Sequence, residues 1–494
     1  MTDQTRPDQM TGQEITRRPY AAKSPAAPAP DDENGRELYY IEKVRHLIAE
    51  KAREAGRPLT ACTVTFGCQM NARDSEKLTG ILRESGFELT ESENADFVIF
   101  NTCTVRDNAD QRTFGHLGRI SYLKKKNPLM KVAVCGCMMQ EKGNVDKIKK
   151  SYPFVDLVFG THNLYRFAEY LWEVYSTDQK VREIWDKTDR IVEDLPIERK
   201  YPFKSGINIM FGCDNFCSYC IVPYVRGRER SREPGEIIRE TEALARDGVS
   251  EVMLLGQNVN SYGKGLEDPI SFAELLGAVC KVDGIRRVRF MTPHPKDLSY
   301  DLIRAVRDNP KAARHIHLPL QSGSDRILKR MNRHYTKERF IELAQKIREE
   351  IPDVSITTDI IVGFPGETPE DVDDTIDVIE RVGFDNAYTF IYSKRRGTPA
   401  AAMEDQVPAD VVKAGFDRVL AAVQKSARER AQLLEGRVME ALVEEVNAQK
   451  EGYVTGRLST NMVVHVPGDA SMIGSYVPVL LEECRGFYYF GKIV

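Results

Sequence analysis

From Cys62 onward the chain alternates short apolar runs with longer stretches whose apolar residues recur every three or four positions. The short runs read as buried strands and the longer stretches as amphipathic helices. Strands are expected over 62–66, 96–100, 131–134 and 155–159, and helices over 37–54, 74–85, 111–126, 144–150 and 164–175. A β-α repeat of this kind implies a parallel sheet covered by helices. Positions 177–204 are polar and charged and contain Pro196 and Pro202, the marks of a linker. The alternation resumes with strands over 207–211, 251–255, 287–291, 315–320, 355–362 and 387–392. Helical runs such as 237–246, 272–280, 337–349 and 369–381 lie between them. Such β-α units fit an open, partial (β/α)6 barrel, whose chemistry belongs at the carboxyl ends of its strands. A long helix over 407–434 then gives way to short alternating runs punctuated by glycines and Asn461, the pattern of a small β-barrel.

The expected fold class is therefore α/β, with an N-terminal parallel-sheet domain over 37–180, a linker over 181–204, a partial barrel over 205–434 and a small β-barrel over 435–494. Positions 1–36 are polar, rich in Pro and Ala, and lack the apolar core of a secretory signal. They read as a disordered tail. No run is long and apolar enough to span a membrane, and the expected location is cytoplasmic. The formal net charge of −4 excludes a simple polycation, so any nucleic-acid site must be local. Ten cysteines in a chain without an export signal favour metal or redox chemistry over disulfides.

Directly after the first strand of the central domain comes Cys213-Asp214-Asn215-Phe216-Cys217-Ser218-Tyr219-Cys220. Cubane clusters are held by cysteine thiolates, and this loop offers three of the four that a [4Fe–4S] cluster takes. The fourth iron is left for another ligand. A zinc site would need a fourth donor close by, and the next twenty residues contain neither Cys nor His. Three more cysteines, Cys68, Cys103 and Cys137, follow three strands of the first domain. An open parallel sheet binds ligands beyond the carboxyl ends of its strands, so these thiols could ring one crevice. Spacing alone leaves open the plainer reading of three ordinary buried cysteines.

Other strand ends carry Gly256-Gln257, Gln321-Ser322 and Gly363, either ligand contacts or ordinary β-α turns. Basic residues cluster at 226–232, at Lys394-Arg395-Arg396 and at Lys124-Lys125-Lys126. The first two abut strand ends on the cysteine side, where a polyanion would approach, and so favour RNA.

The C-x3-C-x2-C loop, with Tyr219 before its last cysteine, resembles the radical S-adenosylmethionine (SAM) enzymes. The stretches Phe66-Gly67-Cys68-Gln69-Met70-Asn71, Asn101-Thr102-Cys103-Thr104-Val105-Arg106 and Cys135-Gly136-Cys137-Met138 resemble the methylthiotransferases within that group. The resemblance implies a radical-generating [4Fe–4S] cluster on Cys213, Cys217 and Cys220, with SAM chelated at the free iron and cleaved to a 5′-deoxyadenosyl radical. It implies a second [4Fe–4S] cluster on Cys68, Cys103 and Cys137, Cys137 being the cysteine that follows glycine in the last motif. Cys135 is then an extra thiol, and Cys62, Cys280 and Cys484 are core residues. SAM contacts are expected from Tyr219, Gly256, Gln257, Gln321, Ser322 and Gly363. The small barrel resembles the RNA-binding TRAM domain, although 435–494 holds eight acidic against five basic residues, and contacts are expected from Arg457, Asn461 and His465. The implied reaction is 2-methylthiolation of N6-(dimethylallyl)adenosine at tRNA position 37. The alternatives are threonylcarbamoyladenosine tRNA and ribosomal protein S12. The implied partners are the tRNA anticodon loop and an electron donor such as flavodoxin or ferredoxin, with no membrane, and the protein is expected to be a monomer.

Overall fold

The computed structural model describes residues 28–104 and 107–494. The expected tail therefore lies outside the described residues as far as 27, as do Val105 and Arg106 of the second cysteine motif. The first helix starts four residues before the sequence pattern suggested. Helix α1 (Glu33–Ala55) is capped by Asp32, whose side chain accepts from the Gly35 N–H, and stops at Gly56 in left-handed backbone.

The N-terminal domain continues with β1 (Thr60–Thr65), α2 (Gln69–Glu84), β2 (Glu88–Leu89), β3 (Phe97–Thr102), α3 (Asp107–Lys126), β4 (Lys131–Gly136), α4 (Lys142–Ser151), β5 (Leu157–Phe159), α5 (Phe167–Thr177) and β6 (Val181–Glu183). The strands form one parallel sheet in the order β2-β1-β3-β4-β5-β6. Strand alternation divides its core in two: Phe97, Ile99 and Cys135 face α1 and α5, whereas Val98, Phe100 and Val134 face α3 and α4. Strand β6 corrects the linker boundary, since the segment expected to begin a linker at 181 instead adds the sixth strand to this sheet. Its three residues were too short a run to stand out among charges. The rest of 184–203 is a strap with buried Leu195. It hydrogen-bonds α2 through Glu198 N and Glu76 O at 2.8 Å.

The central domain comprises β7 (Lys204–Asn208), β8 (Met210–Phe211), α6 (Val222–Arg226), β9 (Arg230–Ser231), α7 (Pro234–Arg246), β10 (Glu251–Leu255), α8 (Phe272–Cys280), β11 (Arg287–Phe290), α9 (Tyr300–Asp308), β12 (His315–His317), α10 (Asp325–Arg330), α11 (Lys337–Glu350), β13 (Ser355–Val362), α12 (Pro369–Val382), β14 (Asn386–Ile391) and α13 (Ala409–Gln432). Two parallel sheets, β11-β10-β7 and β12-β13-β14, meet at a bridge between Val288 and Ala312 and make the partial barrel. One apolar core runs between strands and helices, from Ile207 to Val423.

The C-terminal strands β15 (Val438–Val446), β16 (Tyr453–Leu458), β17 (Val463–Pro467), β18 (Tyr476–Cys484) and β19 (Tyr488–Ile493) close into a barrel in the order β15-β16-β17-β19-β18. It docks at the amino ends of the central strands. Arg287 and Arg289 donate to the Arg457 and Leu458 carbonyls at 3.0 and 2.8 Å, and Lys204 pairs with Glu444 at 2.8 Å. Among the described residues no helix is long and apolar enough to cross a membrane.

Candidate active site

The reversal of strand order in the N-terminal sheet falls between β1 and β3, which opens a crevice at their carboxyl ends. Cys68 follows β1 as the N-cap of α2, Cys103 follows β3, and Cys137 begins a short 3-10 turn after β4. The three thiols share this crevice. A Cβ built on Gly67 would lie 2.6 Å from Cys103 Sγ, and Cys68 Sγ and Cys137 Sγ lie 4.0 and 3.9 Å from Asn71 Oδ1. Asn71 also donates to the Phe66 and Thr102 carbonyls at 2.9 and 2.8 Å, so it ties the ends of β1 and β3 together. The turn at Gly136, φ 96°, which ends β4 and starts the 3-10 turn, separates Cys135 from Cys137: Cys135 is packed into the apolar layer beneath α1 and α5, away from the crevice. Cys62 and Cys280 are core residues, and Cys484 is half-buried.

The second trio sits in the loop after β8. Phe216 has left-handed backbone, φ 46°, and Asn332 stabilises that turn by donating to the Asn215 and Phe216 carbonyls at 3.2 and 3.1 Å. Ser218 is held by Met331 and Arg330 carbonyls at 3.0 and 2.8 Å. Burial pushes the Cys213 thiol up to about 11 and the Cys220 thiol up to about 12, and in both cases a neighbouring thiol of the trio adds to the rise. Cys137 is likewise pushed up to about 12 by burial, with Cys103 and Cys68 contributing and Arg226 opposing.

Each trio has a buried guanidinium against one of its sulfurs. Arg226 Nε donates to Cys137 Sγ at 3.3 Å, while its Nη2 reaches Asn71 Oδ1 at 2.7 Å and Asp74 Oδ2 at 2.9 Å. Arg333 Nη1 lies 3.6 Å from Cys217 Sγ, and its other nitrogens bond Tyr335 and the Pro319 carbonyl. Burial disfavours the charge on Arg226, but Cys137, Asp74 and Cys68 more than offset it. Helix α6 starts two residues after Cys220 and ends at Arg226, and its N-cap Ile221 and its Val225 pack on Cys137. The two trios are therefore neighbours, joined by one short helix. Among the described residues no three Cys, His, Asp or Glu side chains are grouped so as to hold a single metal ion. Buried thiols beside a fixed positive charge fit an anionic iron–sulfur cluster, which needs thiolate ligands and N–H donors to sulfur.

The remaining strand-end residues divide into two groups. Gly256 follows β10, and a Cβ there would meet Met210 Cγ at 2.6 Å; Gln257 beside it reaches the Met70 sulfur of α2. Gln321 has left-handed backbone, φ 71°, and bridges to β13 through Asp359 O and Ile361 N, both at 2.8 Å. Ser322 is fully buried and accepts from Ser324 N at 3.3 Å, within a turn seated on α12. Gly363 packs beneath Val412 of α13, where a Cβ would come within 2.6 Å of Val412 Cγ2. Tyr219 packs against buried Ile327, Met331, Phe364 and Ala400.

The basic run at 226–232 is only in part the open cationic face its sequence suggested. Arg226 and Arg232 are buried. Arg232 bonds Glu193, Glu240 and the Asn208 carbonyl at 2.6–2.7 Å, and Arg230 donates to the Thr188 carbonyl at 2.5 Å. Lys124 pairs with Asp156 at the start of β5, the end of the sheet away from the thiols. Arg457 pairs with Glu444 at the seam between barrel and central domain. A cation in sequence does not announce whether it serves solvent or an internal carboxylate: Arg226, Arg230, Arg232 and Lys124 serve carboxylates and carbonyls, whereas Arg228, Lys394 and Arg396 are exposed. Arg226, Arg333 and Asn71 emerge instead as site residues: Asn71 lay in the first cysteine motif and Arg226 in a basic run read as facing a polyanion, while Arg333 carried no signal.

Three comparisons bear on this geometry. Residues 207–379 match the radical SAM superfamily, residues 60–160 match the uncharacterized protein family UPF0004, and residues 432–494 match the TRAM domain. A protein of Lachnoclostridium phytofermentans named tRNA-2-methylthio-N(6)-dimethylallyladenosine synthase is 57% identical over 90% of this chain and 98% of its own length. A protein of the same name from Acetivibrio thermocellus is 51% identical over 94% of this chain and 97% of its own. Among solved structures, the radical SAM methyltransferase TsrM of Kitasatospora setae shares the fold with a TM-score of 0.50 at 15% identity, over 70% of this chain and 77% of that one.

Proposed function

The chain belongs to the family of tRNA-2-methylthio-N(6)-dimethylallyladenosine synthases, and from that premise we propose how its own residues serve the reaction. It is a radical SAM methylthiotransferase whose substrate is tRNA carrying N6-(dimethylallyl)adenosine, and whose product bears a methylthio group at C2 of that adenine. A [4Fe–4S] cluster with SAM supplies, when bound, the one-electron chemistry that opens an unactivated C–H bond.

Cys213, Cys217 and Cys220 hold the SAM-binding cluster, and Cys68, Cys103 and Cys137 hold a second one. The observation that carries this reading is Arg226, which leaves the Cys220 loop on α6 and donates to Cys137 in the other domain. A residue six positions beyond Cys220 that bonds a sulfur of the other trio brings the two trios side by side. Arg333 steadies Cys217, while Asn332 and Ser218 fix the loop around it. Gln257 and Gln321, which follow β10 and β12 at their carboxyl ends, would orient SAM or the base. Cys103, Cys137, Cys213 and Cys217 are buried, a setting that would limit water around the reacting groups, while Cys68 is exposed. The adenine lies in a single-stranded loop, so it can be splayed into the mouth at modest cost.

Anaerobic reconstitution followed by iron and sulfide counting, then nucleoside analysis of treated tRNA, tests the assignment. Cys217→Ala should lose SAM cleavage and keep the second cluster. Cys103→Ala should keep SAM cleavage to 5′-deoxyadenosine and make no methylthio product. Full product from the Cys103 variant would sink the two-cluster reading.

A further inference from the structure

The two edges of the partial barrel differ. Edge strand β7 is covered by α2 of the N-terminal domain, with Arg73 bonded to Ser205 at 3.3 Å and to Glu240 at 2.7 Å. Edge strand β14 pairs with β13 on one side, and its apolar residues stand open: Tyr388, Phe390 and Ile391 are 48%, 42% and 52% exposed. A bare apolar edge strand invites pairing and aggregation, and natural proteins cover such edges.

Register places two of these side chains on the inner face of the barrel. Tyr388 is the cross-strand partner of Asp359, and Phe390 that of Ile361. The His317 ring lies 6.1 Å from that of Tyr388, and His317 Nε2 is 3.3 Å from Asp359 Oδ2. Ile361 joins the apolar group around Tyr219, so Phe390 sits toward the Cys213 loop. The chain leaves β14 directly into Lys394-Arg395-Arg396. Lys394 and Arg396 are exposed, and Arg396 reaches the N-terminal domain, its Nη1 2.7 Å from a Cβ built on Gly143. Aromatic faces followed by cations, at the mouth of a site, are what single-stranded nucleic acid requires: π-faces for bases and charge for phosphates.

We infer that β14 and the loop after it form the surface that receives the single-stranded anticodon loop, with Tyr388 and Phe390 stacking on bases and Lys394 and Arg396 holding phosphates. The inference rests on the reading of the substrate as tRNA, and it names the edge that reads it. The ring is what matters at Tyr388, so Tyr388→Phe binds as the parent does, whereas Tyr388→Leu, which keeps bulk without a π-face, does not.

The test is binding of a fluorescent RNA stem-loop containing N6-(dimethylallyl)adenosine to the iron-loaded full chain, alongside conversion of that stem-loop to methylthio product. Tyr388→Leu and Phe390→Leu should each raise Kd by about tenfold. Each should leave iron content and far-ultraviolet dichroism unchanged. Lys394→Ala and Arg396→Ala should each reduce the slope of log affinity against log salt by about one. Leucine variants that bind as tightly as the parent overturn the inference. So does a parent that sediments as a dimer and becomes monomeric in Tyr388→Leu, since a second copy would then be the occupant. A parent that binds the stem-loop without making product sinks the reading of the reaction, while the comparison of variants still decides the role of β14.

Discussion

At the residue scale, Arg226 holds three partners at once, Cys137, Asn71 and Asp74. Its charge faces Asp74 with both side chains nearly buried, so truncation strands a carboxylate. Removing one partner of such a pair costs about 3–5 kcal/mol. Arg226→Met should lower the melting temperature markedly, and Asp74→Asn in the same chain should recover part of the loss; a thermal melt followed by dichroism reads both. Cys135 and Cys137 give a second contrast. Cys137→Ala should remove iron from the N-terminal site, whereas Cys135→Ala should leave the iron count unchanged, because Cys135 faces the apolar layer. Glu367 provides a pH signature. Burial raises its carboxyl to about 7, against the Gly363 N–H that favours the anion. A carboxyl raised on folding binds its proton more tightly in the native state, so its contribution is full below the ordinary glutamate range and falls as pH rises to about 7. Glu367→Gln should flatten that part of the melting-temperature profile relative to the parent. The cysteine motifs were readable as residues because their chemistry fixes residue type and spacing. The guanidiniums that serve them were not, since nothing local to Arg226 says that it turns inward to Asp74.

At the scale of elements, the periodicity of apolar positions was enough to locate most strands and helices. The misses were short: β2 and β6 offer two and three residues, too few to show a period. The strap over 184–203 was legible only as polar, because its order comes from partners elsewhere. Glu240 of α7 is central to that order, bonded at 2.7 Å both to Arg73 of α2 and to Arg232, which also holds Glu193 of the strap. Glu240→Ala leaves two buried guanidiniums without their shared carboxylate. It should loosen α2 and the strap together, and limited proteolysis should then cut within 184–203 in the variant before it does in the parent.

At the scale of the whole molecule, the sequence pattern indicated three domains but not how they are stacked. Docking depends on side chains that look like ordinary surface cations, such as Arg287 and Arg289, which are buried under the barrel. The barrel is therefore part of the foundation of the central domain. Removing 435–494 should expose those arginines and lower stability, as an earlier denaturant midpoint would report.

The last thiol of one trio and the guanidinium that steadies the other belong to a single stretch, Cys220 to Arg226. A displacement at either end of that stretch is therefore passed along one turn of helix to the other, so the two groups of thiols share a lever although each keeps its own sulfur donor.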